Sequence, residues 1–221
     1  MPEDASSSRR DSDSGPSFPV VSIELKGAGG EMVRIHRADG SFFVIHAEVF
    51  AVEKIRTGEP LDDVRIGVLK ERSESIFARE AALRFLSRAA QTRQGLSRKL
   101  LSRGFSKSAA AFAINRMIEL GYVDDRRFAE NWVRFRLSTR KEGWKSLYRG
   151  LLRGGVPRAI AEEVLQSACP LEVEMARARL LIHGLSSRTA VSKLTARGFR
   201  SKTIGRILSE MRQEGRQETE E

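Results

Sequence analysis

A pattern of leucine, glycine and apolar residues occurs three times along the chain, and it restricts the fold more than any other feature. In each copy, apolar residues lie eight and four positions before a glycine, and another apolar residue follows it. The glycines are Gly104, Gly155 and Gly198, at intervals of 51 and 43 residues. A glycine so placed ends a helix with positive φ. Units of this length cannot each bury a core, so the pattern predicts stacked three-helix repeats.

The helix after each glycine also has apolar residues at fixed positions. The three copies are Leu96-Leu100-Gly104-Phe105 with Ala113-Ile114, Leu147-Leu151-Gly155-Val156 with Val164-Leu165, and Ala190-Leu194-Gly198-Phe199 with Ile207-Leu208. The residue after each glycine is expected to fold back onto the preceding helix. Apolar spacing is helical from Ser75 onward, which predicts a mainly α protein.

The segment before the repeats has a different character. Short β-branched and aromatic runs separated by Gly29-Gly30 and Asp39-Gly40 indicate about three strands in a small antiparallel sheet. Residues 47–56 are expected to form a covering helix. The piece Val64–Leu69 fits either a strand or a helix.

These patterns divide the chain into six segments. Polar composition predicts disorder at the first and a frayed tail at the last. The segments are a disordered tail at 1–17, a small β-rich domain with a short helix at 18–74, helical repeats at 75–121, 122–169 and 170–212, and a polar tail at 213–221.

Charge is unevenly distributed over the chain. The net charge is +10, of which residues 1–75 contribute −4 and residues 76–221 contribute +14. A basic region of this size indicates nucleic acid or another polyanionic partner. The structural alternative is a soluble protein with Arg-rich exposed helices and no such partner.

The most basic part lies between Gly121 and Gly155, which includes both Trp and both Tyr residues. Asp124 or Asp125 is expected to cap the helix that starts near Arg126, an explanation we prefer to a metal or catalytic role. On this helix, apolar spacing predicts a core stripe of Phe128, Trp132 and Phe135 with Ala129 and Val133 beside it. Base stacking on these aromatic residues is therefore not expected, while Tyr148 remains an open case.

The next helix is expected to bury Trp144, Leu147, Leu151 and Leu152. Lys145, Arg149 and Arg153 lie at i, i+4 and i+8 on its other face with no glutamate between them. Like charges at this spacing repel by about 0.2–0.5 kcal/mol per pair, so an anionic partner is the better interpretation. The candidate partner-binding or DNA-binding residues are Arg98, Lys99, Arg103, Arg126, Arg127, Arg134, Arg136, Arg140, Lys141, Lys145, Arg149 and Arg153. Lys193, Arg197, Arg200 and Lys202 offer a weaker version of this face in the third repeat.

The sequence has no recognisable catalytic or cofactor motif. No phosphate-binding glycine loop or nucleophile elbow occurs, and His36, His46 and His183 do not have metal-ligand spacing. Cys169 is the single cysteine and is expected to be a small buried residue. No run of about 18 apolar residues and no apolar signal region occur, so we expect a cytoplasmic protein that is not an enzyme and needs no cofactor or metal.

Three stretches resemble the RecX family of recombination regulators. They are EAALRFLSR (80–88), KLLSRGFSK (99–107) and ELGYVDDRRFAENWVRFRL (119–137), and the last is the most specific. The resemblance covers roughly 75–211. The middle repeat departs from the family pattern at Gly154-Gly155-Val156-Pro157, where the paired glycines are expected to loosen the junction.

This resemblance implies three tandem three-helix repeats in an elongated, curved array. It also implies binding to the RecA recombinase filament on single-stranded DNA, with inhibition of ATP hydrolysis, strand exchange and coprotease activity in DNA repair, recombination and the SOS response. A monomer without cofactor is expected, and double-stranded DNA is a further partner to consider.

Two other functions stay open at this point. One is a helical-repeat protein that binds DNA directly without RecA, and the other is a transcriptional regulator that dimerises through its N-terminal sheet. Residues 18–70 have three possible roles, which are contact with a filament-associated partner, dimerisation and covering the first repeat. The residues alone do not decide whether the basic face contacts DNA, RecA or both.

Overall fold

The computed structural model describes residues 15–217, with side chains through Gln213, and it is mainly α-helical after a short β-rich segment. The strands are β1 (Phe18–Lys26), β2 (Met32–Arg37), β3 (Phe42–His46) and β4 (Pro60–Leu61). The helices are α1 (Ala47–Glu53), α2 (Asp63–Arg88), α3 (Arg93–Ser102), α4 (Lys107–Glu119), α5 (Asp125–Thr139), α6 (Trp144–Gly154), α7 (Arg158–Ala168), α8 (Leu171–Ile182), α9 (Ser187–Ala196) and α10 (Ser201–Gln217).

The predicted fold class is confirmed, while the predicted segment boundaries remain a prediction. Most of the predicted N-terminal tail, at 1–14, and the end of the polar tail, at 218–221, lie outside the described residues. Helix α10 continues to Gln217, beyond the expected start of that tail at 213. The chain divides into two compact units, one of residues 1–81 and 104–113 and one of residues 82–103 and 114–221.

The first unit contains a four-stranded antiparallel sheet in the order β3-β2-β1-β4. Val33 and Ile35 of β2 pair with Ile45 and Phe43 of β3, and all four side chains are buried. Alternation along β2 and β3 thus places one face of the sheet in the core, as the sequence pattern predicted. The two-residue strand β4 was not predicted. The core is completed by Val20, Val49, Ile55, Leu61, Ile66 and Leu69.

Helices begin and end in this unit for local reasons. Helix α1 ends at Glu53, three residues earlier than expected, because Lys54 has left-handed backbone with φ 52°. Helix α2 begins at Asp63, so the ambiguous piece 64–69 is helical. The Asp62 carboxylate accepts a hydrogen bond from the Arg65 amide at 2.7 Å and caps this helix.

The predicted repeat positions correspond to turns and cores of the structure. Gly104, Gly155 and Gly198 have φ of 90°, 89° and 78°, which confirms the predicted helix-ending role of the repeated glycine. The described part of the second unit contains two cores that include most of the predicted apolar positions, together with α8 residues that were not predicted. One core is formed by Ala129, Val133, Leu147, Leu151, Val156, Ala161, Val164, Leu165 and Cys169. The other is formed by Met175, Ala178, Leu181, Ile182, Ala190, Leu194, Phe199 and Ile207.

We call α3, α6 and α9 the second helices of the three repeats. They make end-to-end contacts, in which the start of α3 meets the end of α6 and the start of α6 meets the end of α9. At the start of α6, the Gly143 amide donates to the Arg197 carbonyl at 3.0 Å and the Lys145 amide donates to the Gly198 carbonyl at 2.8 Å. The start of α6 therefore rests on the glycine turn that ends α9. These bonds give acceptors to amides that a helix start would otherwise leave without partners.

The same arrangement recurs one repeat earlier. The Thr92 hydroxyl at the start of α3 donates to the Gly154 carbonyl at 2.7 Å, in the turn that ends α6. A Cβ atom on Gly155 would lie 2.8 Å from the Gln94 side chain and 2.9 Å from the Thr92 hydroxyl. The turn is in close contact with α3, while the expected loosening of the junction by the paired glycines stays a prediction.

We predict that Gly143→Ala destabilises the protein. A Cβ atom at this position would lie 2.3 Å from the Phe199 Cα atom, and backbone at that distance has to move. Overpacking of this kind costs about 1–3 kcal/mol, measured as a loss in the free energy of unfolding in urea.

Gly205→Ala in α10 is the matched control, because no described atom outside its own helix turn lies within 4 Å of a Cβ atom there. It should stabilise the protein by up to about 1 kcal/mol through helix propensity. Equal stability of the two variants would contradict the close approach of α6 to the α9 turn.

Candidate functional site

The acidic pair before α5 caps two different helices. The Asp124 carboxylate accepts from the Arg127 amide at 3.0 Å, which confirms capping of α5. The Asp125 carboxylate accepts from the Arg93 amide at 2.8 Å, at the start of α3. Both carboxylates thus stabilise helix starts and fix α5 relative to α3.

Helix α6 separates its residues as the sequence predicted. Leu147 and Leu151 are fully buried, whereas Lys145, Arg149 and Arg153 are exposed. We call these three cations the α6 ridge. No carboxylate among the described side chains forms an ion pair with them. The Lys145 ammonium is 3.2 Å from the Ser201 hydroxyl, and the Arg149 guanidinium donates to the Lys145 carbonyl at 3.3 Å.

Several predicted site residues on α5 are engaged within the protein. Arg126 forms an ion pair with Glu163, and this hydrogen bond raises the pKa of Arg126. Arg136 is half-buried, pairs with Glu142 and lies over the Trp132 ring at 5.1 Å. An anionic partner would have to compete with these carboxylates. Arg127 and Arg134 are exposed, and the Arg127 guanidinium donates to the Gly121 carbonyl at 2.5 Å.

The three predicted cations of α3 do not share one environment. The Arg98 guanidinium donates to the Arg153 carbonyl at 3.4 Å, so Arg98 lies at the C-terminal end of the α6 ridge. Lys99 and Arg103 instead lie over the Phe85 ring, at 5.5 and 5.8 Å from its centroid. The structure brings Arg98 together with the ridge, and it places Lys99 and Arg103 beside Phe85.

Arg140 and Lys141 follow α5 and border a hollow of about 500 Å³. The hollow, which we call the Phe135 hollow, is lined by Phe135, Thr139, Arg140, Lys141, Leu181 and Arg197. Phe135 is 63% exposed, so its predicted place in the core stripe is wrong. At 100° per residue, Phe135 lies about 120° from Ala129, a fully buried residue on the core-facing side of α5.

The remaining aromatic residues are in more protected positions. Phe128, Trp132 and Trp144 are half-buried against the core, in agreement with the sequence prediction. The Tyr148 ring stacks on Trp144 with centroids 4.9 Å apart, and its hydroxyl is 3.1 Å from the Glu162 carboxylate. Burial is the main cause that raises the pKa of Tyr148.

A buried carboxylate was missed by sequence reasoning. Glu174 in α8 is fully buried and accepts hydrogen bonds from the Trp144 and Arg200 amides at 2.8 and 3.1 Å. It also accepts from the Arg200 guanidinium at 2.6 Å and the Thr203 hydroxyl at 2.5 Å. Glu174 therefore joins the starts of α6 and α10. An acidic residue beside the core residues of α8 was the available sequence signal.

The first unit contains a similar contact. The Glu74 carboxylate accepts from the Ser106 amide at 2.6 Å and from the Ser106 hydroxyl at 2.8 Å, just before α4. Ser106 and Arg200 both lie two positions after a repeated glycine. In two of the three repeats, a glutamate of the first helix thus caps the third helix.

The described part of the chain contains neither a metal-binding cluster nor a membrane-spanning helix. No group of three or more His, Cys, Asp or Glu side chains within 15–213 could hold a metal ion. None of the helices in the described range is long and apolar enough to span a membrane.

Comparison with known proteins supports the repeat assignment. A family model described as the first three-helix domain of RecX matches residues 78–117, and one for the second three-helix domain matches residues 124–165. A regulatory protein RecX of Thermus thermophilus is 38% identical over 118 residues, which are 53% of this chain and 80% of that protein. Another from Mycolicibacterium vanbaalenii is 30% identical over 142 residues, 64% of this chain and 77% of that protein. The chain belongs to the RecX family.

Solved structures show the same fold. A crystal structure of regulatory protein RecX superposes with a TM-score of 0.63 at 20% identity, covering 84% of this RecX family member and 96% of that chain. The RecX structure from Lactobacillus salivarius gives a TM-score of 0.58 at 24% identity, covering 62% of this chain and 96% of that one. The expected helical fold is thus confirmed.

We predict that Glu174→Ala strongly destabilises this RecX protein. The change leaves the Arg200 guanidinium and buried amides without their acceptor, a loss of about 3–5 kcal/mol in the free energy of unfolding. Glu172→Ala changes an exposed carboxylate on the same helix and should cost about 0.5 kcal/mol or less. Urea unfolding of both variants measures the difference, and similar losses would contradict the joining role of Glu174.

We also predict that Cys169 is unreactive in the folded protein. Burial, followed by the nearby Glu174 charge, raises the pKa of this thiol from 9.0 to about 11. Iodoacetamide should therefore label it slowly at pH 8 and quickly in urea, since the thiolate is the nucleophile.

The raised pKa of Cys169 also predicts how the free energy of unfolding changes with pH. Between pH 9 and about 11 the unfolded thiol loses its proton while the folded thiol keeps it. The unfolded state then binds fewer protons, so the free energy of unfolding falls as the pH rises through this window. A Cys169→Ala variant should lack this part of the fall, and rapid labelling of the native protein would contradict the assignment.

Proposed function

We propose that this RecX family protein binds the RecA filament on single-stranded DNA and inhibits its ATPase, strand-exchange and coprotease activities. The α6 ridge is the observation that carries the proposal. Lys145, Arg149 and Arg153 lie on one exposed helix face, and no described carboxylate neutralises them. The three like charges of the ridge repel one another, and an anionic partner that binds the ridge would relieve this repulsion.

The surroundings of the ridge support an extended contact. The start of α6 rests on the α9 turn that includes Arg197, and its end lies beside Arg98. Cations therefore continue past both ends of the helix. Arginine is well suited to such a surface because its planar guanidinium binds phosphate or carboxylate through two hydrogen bonds.

The proposed mechanism is occupation of a binding surface and involves no chemical step. We assign the protein as a non-enzymatic, cytoplasmic monomer that acts in DNA repair, recombination and the SOS response. In this mechanism the ridge provides long-range attraction to DNA phosphates or to acidic RecA surface.

Direct binding to DNA without RecA is the second candidate. The net charge of +14 over residues 76–221 favours it, because such a charge attracts any polyphosphate. It predicts tight DNA binding that weakens steeply with salt and no added effect of RecA. The filament proposal predicts stronger association with the RecA–DNA filament than with the same DNA alone at equal salt.

We predict that changing Lys145, Arg149 and Arg153 together to glutamate strongly weakens inhibition. The change reverses the charge of the ridge but leaves the buried face of α6 intact. ATP hydrolysis by RecA on single-stranded DNA is measured at increasing concentrations of wild type and variant, with circular dichroism as the test of folding. The variant should need at least about tenfold more protein for half-inhibition.

The matched control changes Lys54, Arg56 and Lys107 to glutamate. These residues are exposed and lie outside α6, and the change in net charge is the same. The control should inhibit like the wild type. If both variants lose inhibition equally, net charge and not the ridge would explain it, and a folded ridge variant with full inhibition would refute the proposed surface. No effect of wild-type protein in molar excess over RecA would refute the proposed function itself.

A further inference from the structure

We infer that the Phe135 hollow is a binding site for an unpaired nucleobase of single-stranded nucleic acid. Phe135 is 63% exposed near the C-terminal end of α5. It lies outside the core-facing side of this helix, so packing of the core does not explain an aromatic residue here. In this hollow it lies among Arg140, Lys141 and Arg197.

The charge of the hollow favours nucleic acid over a peptide. Its charged lining residues are Arg140, Lys141 and Arg197, and no carboxylate among the side chains that the structure describes lines it. Leu181 and Thr139 complete the wall. A stacking ring surrounded by cations is the combination that single-strand binding surfaces use, because every base has a face that can stack while the cations hold the phosphates.

Two helix C-termini lie near the hollow, and the partial negative charge at one of them is offset by an arginine. Arg140 and Arg197 are the C-cap residues that directly follow α5 and α9, and helix C-termini carry partial negative charge. Arg177 offsets this charge at α5. Its guanidinium donates to the Leu137 carbonyl at 2.8 Å and to the Arg140 carbonyl, which adds another cation close to the hollow.

The hollow is connected to the α6 ridge through the α9 turn. Arg197 lines the hollow, and the next residue, Gly198, accepts the Lys145 amide at 2.8 Å. A strand whose phosphates lie along the ridge could therefore place a base on Phe135 at the Lys145 end. This inference deepens the proposed function, on which it rests for the choice of a single-stranded partner, but base binding itself is measured without RecA.

The test compares two short single-stranded oligomers by fluorescence anisotropy in the absence of RecA. One is oligothymidylate, and the other is an abasic oligomer of equal length with the same phosphates and no bases. The full-length wild type should bind oligothymidylate more tightly. Phe135→Ala should weaken oligothymidylate binding by about 5- to 100-fold and leave abasic binding unchanged, since stacking of one base has a value of this order.

Three further variants distinguish base stacking from a general apolar contact. Phe135→Tyr keeps an aromatic face and should bind like the wild type, whereas Phe135→Leu keeps an apolar side chain and should behave like Phe135→Ala. Phe112→Ala is the matched control, because Phe112 is also exposed, at 55%, but lies on α4 and does not line the hollow. It should leave both affinities unchanged. Because Phe135 is not a core residue, its variants should unfold at the same urea concentration as the wild type.

Several results would overturn the inference. Equal wild-type affinity for the two oligomers would show that bases contribute nothing. Equal weakening of both by Phe135→Ala, or full binding by Phe135→Leu, would assign Phe135 a structural or general apolar role. Loss of RecA inhibition in Phe135→Ala with both oligomer affinities unchanged would assign the hollow to a protein partner. Confirmed base stacking without any RecA inhibition would refute the proposed function and leave this site standing.

Discussion

End-to-end contact between the second helices is the interaction on which the second unit depends. Amide donors at the start of α6 bond to the carbonyls of Arg197 and Gly198, and Thr92 at the start of α3 bonds to Gly154. These contacts are possible because the turn residues have no Cβ atom where the next helix approaches. They hold Arg98 beside Arg153 and Arg197 beside the start of α6, so the exposed cations of different repeats lie close to one another.

Periodicity predicted the helices well, because local spacing determines which face of a helix is apolar. It correctly placed Leu147 and Leu151 inside and the α6 ridge outside. It could not place Phe135, since an aromatic residue at the margin of an apolar stripe is buried only if a neighbouring element covers it. It also could not show that Arg136 pairs with Glu142, six residues away, because that depends on the path of the loop between α5 and α6.

The buried glutamates show a second limit of sequence reasoning. The sequence analysis did not single out Glu174, yet this residue is fully buried, and its carboxylate accepts hydrogen bonds from the starts of α6 and α10. The middle repeat differs in how the amides at the start of its third helix are accommodated. Its third helix starts after Pro157, which has no amide hydrogen. On the core-facing side of its first helix lies the fully buried Ala129, which offers no acceptor. The Gly-Gly-Val-Pro sequence that departs from the family pattern therefore removes a donor at the start of this helix.

The direction of the end-to-end contacts has a consequence for synthesis on the ribosome. The start of α3 contacts Gly154 and Gly155, and the start of α6 contacts residues 197–199, which are synthesised later in each case. The second helices of the first and second repeats therefore emerge from the exit tunnel before the turns that contact their starts have been made. The end-to-end contacts of the first and second repeats therefore form only after the turn of the following repeat has been translated.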